Sequence, residues 1–163
     1  MAIRFEKVSY TEFSKALGSD NDTVRKIWEE IKLPKRATKG SAGYDFYAPW
    51  NFALKKGETE KMPTGIRAIM DEDKVLMLFP RSGMGFKYRF QLDNTVGIID
   101  SDYSNSDNEG HIYAKVSCDS YSDAAEVVIK QGDAFMQGIF VSFAVTDDDQ
   151  AEGVRNGGFG STS

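Results

Sequence analysis

Residues 79–102, FPRSGMGFKYRFQLDNTVGIIDSD, contain two chemically distinct pieces close together in the chain. Residues 81–85 combine a guanidinium and a hydroxyl with two glycines, which let backbone N–H groups approach an anion closely. Residues 94–103 are an apolar strand, interrupted by Gly97, that ends in two aspartates beside an aromatic ring. A carboxylate at the end of a buried strand can hold and polarise a water molecule. Each piece, taken alone, also fits an ordinary polar surface turn.

The composition predicts one globular domain that buries its own core. The chain has 163 residues, of which 40% are hydrophobic and 28% are charged. Its formal net charge of -5 argues against nucleic acid or an anionic membrane as a partner, because both attract basic surfaces. A small polyanion needs only a local basic cluster, for which the candidates are Arg81, Lys87, Arg89 and Arg155.

Cysteine and histidine each occur once, as Cys118 and His111. A single cysteine excludes an intramolecular disulfide and a CxxC metal site, and its place in an alternating run predicts a small buried residue. A single histidine excludes a multi-histidine zinc site and argues against a histidine-based triad. The N-terminal sequence MAIRFEKVSY does not resemble a signal peptide, and no apolar run reaches membrane-spanning length, so we expect a cytoplasmic protein.

The first part of the chain predicts one strand followed by two helices. Residues 3–8 alternate between apolar and polar side chains, and residues 11–17 place their apolar side chains on one helical face before Gly18. A second helix carries an apolar stripe on residues 24–31 and ends before Pro34. We expect this helical insertion, about residues 11–33, to pack against the rest of the domain.

From residue 34 the pattern changes to short apolar runs separated by turns. Many short strands at such spacing predict an all-β protein, either a β-barrel or a jelly roll. We expect residues 1–146 to form this domain and residues 147–163 to form a flexible, glycine-rich C-terminal arm. The predicted strands are residues 52–54, 66–70, 75–79, 96–99, 112–118, 127–129 and 135–143.

Five segments between residue 34 and the C-terminus resemble, in order, the motifs of the trimeric dUTP pyrophosphatase (dUTPase) family. They are SAGYDFYA at 41–48, PRSGMG at 80–85, NTVGIIDSDY at 94–103, GDAFMQ at 132–137 and RNGGFGST at 155–162. The resemblance implies a jelly-roll-like β-barrel subunit that acts as a homotrimer. It further implies that one chain contributes the phosphate motifs of each active site, a second the uracil hairpin and a third its C-terminal arm.

The reaction implied by the resemblance is hydrolysis of dUTP to dUMP and pyrophosphate, which limits uracil incorporation into DNA and supplies dUMP for dTMP synthesis. The implied cofactor is Mg²⁺, held mainly by the substrate phosphates. The implied catalytic residues are Asp100, which would hold the attacking water, and Asp45, which would reach the metal through water molecules. A capped structural aspartate remains the alternative for Asp45.

The implied substrate contacts follow the same motifs. The second motif would hold oxygens around the α- and β-phosphates, and the third would read the uracil edge and pack Tyr103 against the deoxyribose, which leaves no room for a 2′-hydroxyl. Gln137 of the fourth motif would contact a phosphate. In the arm, Phe159 would stack on the base, and Arg155 and Ser161 would hold the terminal phosphate. The full set is Arg81, Ser82, Gly83, Asn94, Gly97, Ile98, Ile99, Asp100, Tyr103, Tyr113, Gln137, Arg155, Phe159, Gly160 and Ser161.

Three features depart from the family pattern. Ala134 stands where the fourth motif usually has arginine, a short Tyr-x-Gly is lengthened into residues 103–110, and the fifth motif is one residue shorter after Arg155. Two alternatives therefore stay open: a dCTP deaminase or bifunctional relative on the same fold, and a trimeric nucleotide-binding or signalling protein without turnover. The sequence DSDY at residues 100–103 favours the pyrophosphatase over the deaminase.

Overall fold

The computed structural model describes residues 3–119, 126–155 and 157 of the chain. These residues form short strands, three α-helices and one 3₁₀ helix. The strands are β1 Arg4–Lys7, β2 Lys35–Arg36, β3 Tyr44–Tyr47, β4 Phe52–Leu54, β5 Thr59–Pro63, β6 Ile66–Ile69, β7 Lys74–Pro80, β8 Phe90–Leu92, β9 Gly97–Asp100, β10 Tyr113–Cys118, β11 Val127–Ile129 and β12 Ala134–Ser142. The helices are α1 Tyr10–Leu17, α2 Asp22–Glu30, α3 Ser82–Tyr88 and the 3₁₀ helix Ser101–Asn105.

The strands pair antiparallel throughout the described residues. The largest sheet has the order β2-β3-β12-β7-β9, a second has the order β5-β10-β8, and β1-β6 and β4-β11 form two-stranded sheets. The prediction of an all-β, jelly-roll-like fold is confirmed. The described strands nevertheless form separate open sheets and not one closed barrel.

The hydrophobic core lies between the inner faces of these sheets. Leu76 and Leu78 of β7 point inward, and Phe46 of β3 and Phe135 of β12 are fully buried beside them. The intervening residues of β7 point outward, as the period of two in a strand requires. Cys118 is also buried, which confirms the prediction made from its alternating run.

The two predicted N-terminal helices are present and are capped by their own side chains. Ser9 accepts a hydrogen bond from the Glu12 N–H at the start of α1, and Asn21 accepts one from the Val24 N–H at the start of α2. Phe13 and Val24 belong to the core, so the helices pack against the sheets as expected. Among the described residues, no helix is both long and apolar enough to cross a membrane.

His111 is fully buried beneath α1 and links that helix to the sheets. Its Nε2 accepts a hydrogen bond from the Gly65 N–H at 2.9 Å, so the ring proton resides on Nδ1, which lies 3.3 Å from Glu12 Oε1. Burial lowers the pKa of His111 to about 4, and burial raises the pKa of Glu12. The imidazole is therefore neutral at pH 7.

This buried imidazole makes the stability of the fold depend on pH. The pKa of His111 falls from 6.5 in the unfolded chain to about 4 in the folded protein, so the unfolded chain binds the extra proton more readily. We expect the free energy of unfolding to decrease as the pH drops from 6.5 towards 4, by roughly 3 kcal/mol from this group. Urea unfolding between pH 7 and pH 4 measures the effect.

The matched control is His111→Gln, which removes the titrating ring. Glu12 titrates in the opposite sense because its pKa is raised, so the difference between wild type and His111→Gln isolates the imidazole. The sequence has one histidine, so the ring pKa can also be read from a single NMR resonance. Identical pH profiles for the two proteins, or a ring pKa near 6.5, would contradict this assignment.

Candidate active site

Residues from the first, second and fourth motifs meet at one end of the large sheet. Asp45 of β3 is in register with Gln137 of β12, and β12 is in turn paired with β7, which ends just before Arg81. Arg81 Nε lies 3.0 Å from Asp45 Oδ1, and Gln137 Nε2 donates to the Pro80 carbonyl at 3.2 Å. Asp45, Arg81 and Gln137 line a cavity of about 300 Å³, which we call the Arg81 cavity. Its other lining residues are Ala37, Ser41, Ala42, Gly43, Ser82 and Ile139.

Local backbone requirements explain how this cavity forms. A Cβ on Gly43 would overlap the Gln137 side-chain oxygen, so the glycine allows that amide to lie across β3. Arg81 is the N-cap of α3, which places Ser82 and the Gly83 N–H in the first helical turn. The first N–H groups of a helix have no acceptor inside the helix, so they are suited to bind an anion together with the Arg81 guanidinium.

A second, more apolar cavity lies between the inner face of β7 and β9 and the sheet containing β10. Its volume is about 550 Å³, and its walls include four of the predicted substrate-binding residues, Asn94, Gly97, Ile99 and Tyr113. We call this cavity the Asn94 pocket. Its other lining residues are Lys61, Leu78, Leu92, Asp93, Ala114 and Lys115. An apolar floor with a few polar groups at the rim is typical of a small-molecule site.

The alternation along β9 decides which of its residues reach the pocket. Gly97 and Ile99 are buried and face Leu78, whereas Ile98 points to the other face of the strand and is 52% exposed. A Cβ on Gly97 would lie 3.0 Å from Leu78 Cβ, so the glycine keeps β9 close to β7 at the pocket wall. The structure therefore does not place Ile98, a predicted contact, in the pocket wall.

The predicted catalytic Asp100 is paired with the C-terminal arm of its own chain. Arg155 Nη2 contacts Asp100 Oδ2, and Arg155 Nε lies 2.8 Å from Asp102 Oδ1. The guanidinium carbon of Arg155 also lies 5.7 Å from the centroid of the Tyr103 ring. We call Asp100, Asp102 and Arg155 the Asp100 cluster. One arginine, whose side chain is only 16% exposed, pairs with both carboxylates and balances only part of their negative charge.

Tyr103 lies between the Asp100 cluster and the lengthened segment that follows the third motif. It is 5% exposed, and its hydroxyl donates to the His111 carbonyl at 2.9 Å and accepts from Asn108 Nδ2 at 2.9 Å. The 3₁₀ helix Ser101–Asn105 carries this tyrosine. The ring is thus fixed by contacts with residues that follow it in the chain.

Within one chain, the two predicted catalytic aspartates lie far apart. Gln137 of β12 is in register with Asp45 of β3 on one side and with Phe79 of β7 on the other. Val75, also on β7, is in register with Asp100 of β9. The aspartates are therefore separated by four residues along the strands and three strand spacings across the sheet, roughly 20 Å in all. They cannot both contact one phosphorus atom in a single chain.

The sequence prediction missed several charged residues of these sites. Lys115 follows Tyr113 by two positions, and alternation along β10 was a usable signal for placing it at the pocket rim. Lys61 lies opposite Lys115 on β5, with its Nζ 5.2 Å from the Tyr113 ring, and only strand pairing reveals it. Asp102 belongs to the third motif, but the motif did not predict that it pairs with Arg155 of the arm. The predicted contacts Phe159, Gly160 and Ser161 lie outside the described residues.

The cofactor implied by the resemblance is Mg²⁺, which binds oxygen ligands such as carboxylates, phosphates and water. In residues 3–119, 126–155 and 157, no group of three or more His, Cys, Asp or Glu side chains is arranged to hold a metal ion. Mg²⁺ in general takes most of its ligands from phosphates and water in preference to an all-protein cage. Asp45 is the carboxylate that lines the Arg81 cavity, and its Oδ1 lies 3.0 Å from Arg81 Nε.

Sequence and structure comparisons point to the same family. The family model described as dUTPase matches residues 29–163. The deoxyuridine 5'-triphosphate nucleotidohydrolase of Lactococcus lactis is 43% identical over 135 residues, which cover 81% of this chain and 88% of that protein. The enzyme of the same name from Hahella chejuensis is 38% identical over 146 residues, which cover 85% of this chain and 91% of that protein.

Solved structures agree with this relationship. The crystal structure of dUTPase from Streptococcus mutans superposes with a TM-score of 0.66 at 34% identity, covering 88% of this chain and 98% of that chain. A mutant dUTPase of phage phi11 of S. aureus shares the fold, with a TM-score of 0.66 at 19% identity over 94% of this chain and 98% of that chain. That protein is described as coordinating a structural Mg(II) ion. The chain therefore belongs to the dUTPase family.

Proposed function

We propose that this protein is a dUTP diphosphatase that hydrolyses dUTP to dUMP and pyrophosphate in the cytoplasm. Its relatives with 43% and 38% identity are deoxyuridine 5'-triphosphate nucleotidohydrolases. The observation that carries the proposal is the Asn94 pocket, a cavity of about 550 Å³ built around the intact third motif. The Arg81 cavity supplies a separate polar site whose guanidinium and Ser82 hydroxyl can bind phosphate oxygens.

The Asn94 pocket is suited to a small planar base. The Asn94 side chain can donate and accept hydrogen bonds at once, which matches the neighbouring carbonyl and N–H groups on the edge of uracil. Leu78 and Ile99 provide an apolar floor, and Gly97 leaves no side chain between that floor and the base. Tyr103 would lie against the deoxyribose and exclude a 2′-hydroxyl by its bulk.

In the proposed reaction, a water oxygen forms a bond to the α-phosphorus while the bond to the oxygen that bridges the α- and β-phosphates breaks. Asp100 orients the water and takes its proton, and pyrophosphate leaves with the bonding electron pair. Arg81, the Ser82 hydroxyl and the Gly83 N–H hold the phosphate oxygens whose negative charge grows. Asp45 would reach a Mg²⁺ ion through water, with the substrate phosphates as the main ligands, and that ion would supply further charge neutralisation when bound.

Arg155 has two sets of possible partners in this scheme. In the free chain it is paired with Asp100 and Asp102. A triphosphate carries more negative charge than two carboxylates and accepts charge-assisted hydrogen bonds from a guanidinium, so it competes for this side chain. When Arg155 moves to the terminal phosphate, Asp100 is released to hold water, while Phe159, Gly160 and Ser161 of the arm close over the substrate.

We further propose a homotrimer with shared active sites. The Arg81 cavity lies on the outer face of the large sheet, and the Asn94 pocket opens on its inner face. Because one chain also separates Asp45 from Asp100 by roughly 20 Å, a second copy of the chain has to bring a phosphate cavity to each base pocket.

The experiment that tests the function is pyrophosphate release from dUTP, dCTP, dTTP and UTP, measured side by side with Mg²⁺. We expect release from dUTP in large excess over the other three and loss of the reaction when the metal is chelated. Release from dCTP with formation of a uracil nucleotide would instead support the deaminase-like or bifunctional relative. A folded protein that binds dUTP and releases nothing would support the non-catalytic nucleotide-binding protein.

Replacing the proposed catalytic carboxylate should separate binding from turnover. Asp100→Asn keeps the shape of the side chain but cannot take a proton from water, so we expect kcat for dUTP to fall by roughly 100-fold or more with dUTP still bound. The matched control is Asp102→Asn, which weakens the same pairing with Arg155 without removing the proposed base. Equal losses in the two variants, measured by steady-state kinetics and calorimetry, would remove Asp100 from this role.

Mixing inactive variants tests whether the sites are shared. Arg81→Ala and Asp100→Asn damage different parts of the site, so co-refolded mixed trimers should regain about a quarter of wild-type activity if those parts come from different chains. A mixture of Arg81→Ala with Asp45→Asn is the control and should regain none, because both residues belong to one Arg81 cavity. Recovery in neither mixture would indicate that each chain builds its own site.

A further inference from the structure

The two segments that lie outside the family pattern contact each other. Most of helices α1 and α2 precede residue 29, where the family match begins, and residues 104–110 lengthen the connection after the third motif. In the folded chain the lengthened connection reaches the start of α1. The two additions are thus one structural unit beside the Asp100 cluster.

Glu109 makes this connection. Its Oε2 accepts a hydrogen bond from the Ser9 N–H at 2.8 Å, and its Oε1 accepts one from the Ser9 hydroxyl at 2.5 Å. Ser9 is also the residue that caps α1 by accepting the Glu12 N–H. Burial acts to raise the pKa of Glu109, but the two hydrogen bonds from Ser9 and the charge of Arg67 outweigh it, so the pKa is lowered and the side chain is a carboxylate at neutral pH.

The connection needs support from outside itself. Glu109 has a φ of 58° and Gly110 a φ of 74°, and the left-handed conformation is costly for a residue with a Cβ. A Cβ on Gly110 would lie 2.6 Å from the Ser104 Cα and 2.8 Å from the Tyr103 carbonyl oxygen, so the loop is folded tightly back on itself. The two hydrogen bonds with Ser9 stabilise this conformation at the strained residue.

From Glu109 the contacts lead directly to Tyr103. Asn108, its neighbour, donates to the Tyr103 hydroxyl and accepts from the Gly110 N–H at 3.2 Å. The Tyr103 hydroxyl donates to the carbonyl of His111, a residue held by Glu12 of α1. Helix α1 therefore restrains the loop at two points, and the loop restrains the tyrosine next to Arg155 and Asp100.

We propose that Glu109 is a positioning residue for the reaction: by binding the N-terminus of α1 it fixes the loop that holds Tyr103 against the deoxyribose and beside Asp100. The inference rests on the proposed function and extends it to a residue that does not touch the substrate. It assigns the helical insertion a part in substrate selection, because the insertion supplies the partner of Glu109.

The test compares three variants of the full-length protein. Glu109→Ala removes both acceptors, whereas Glu109→Gln keeps one acceptor for the Ser9 N–H and offers a donor to the Ser9 hydroxyl. Asn21→Ala is the matched control, because it removes a helix cap of similar strength from α2 and Asn21 has no hydrogen bond to residues 101–111. Comparable losses of thermal stability are expected for Glu109→Ala and Asn21→Ala.

Two readouts distinguish positioning from stability alone. The first is hydrogen exchange of residues 101–111 in the free protein, which should become faster in Glu109→Ala and stay unchanged in Asn21→Ala. The second is the ratio of kcat/KM for dUTP to kcat/KM for UTP. We expect Glu109→Ala to lower this ratio by roughly fivefold to tenfold, as the loss of two hydrogen bonds would predict, and Glu109→Gln to restore most of it.

Each outcome decides the question. Faster exchange with an unchanged dUTP to UTP ratio would mean that Glu109 only stabilises the loop, and the proposal would be overturned. An equal drop in the ratio for Asn21→Ala would assign the effect to general destabilisation and overturn it as well. Absence of dUTP turnover in the wild type would reject the proposed function itself, a result that is separate from any difference between the variants.

Discussion

The register in which β12 pairs with both β3 and β7 is the constraint on which the rest of the structure depends. A Cβ on Gly138 of β12 would lie 2.8 Å from Leu76 Cδ1 and 3.0 Å from Phe46 Cε2, so a side chain there would displace these core residues. Because side chains alternate, a slip of one residue would turn Gln137 into that core and remove it from the Arg81 cavity. The core and the Arg81 cavity therefore lie on the two faces of one pairing pattern.

The same alternation places the pocket residues and the two aspartates of a single chain on opposite faces of the sheet. Leu78, Gly97 and Ile99 face inward and build the Asn94 pocket, while Asp45 and Asp100 face outward at distant positions of the sheet. Electrostatics then acts locally, since Arg155 pairs with the neighbouring carboxylates of Asp100 and Asp102. The proposed substrate, which would span the Asn94 pocket and the Arg81 cavity, would therefore need surfaces that lie apart within one subunit.

The additions to the family pattern show how local signals can be correct and incomplete. The apolar stripes predicted α1 and α2, and the polar residues after Tyr103 indicated a lengthened loop. Neither pattern predicted that Glu109 binds Ser9, because these residues are 100 positions apart and each alone fits a solvated turn or a helix cap. The buried pair of His111 and Glu12 was hidden for the same reason.

The sequence by itself indicated the family, the all-β class, the helical insertion and four residues that line the Asn94 pocket, because motifs and alternation are properties of neighbouring residues. Only the tertiary structure decided which face of each strand carries a site, that Asp45 and Asp100 are roughly 20 Å apart, and that Arg155 lies on Asp100. Those facts depend on strand register and on contacts between distant segments, which are fixed when the core packs as a whole and not by any one stretch of the chain.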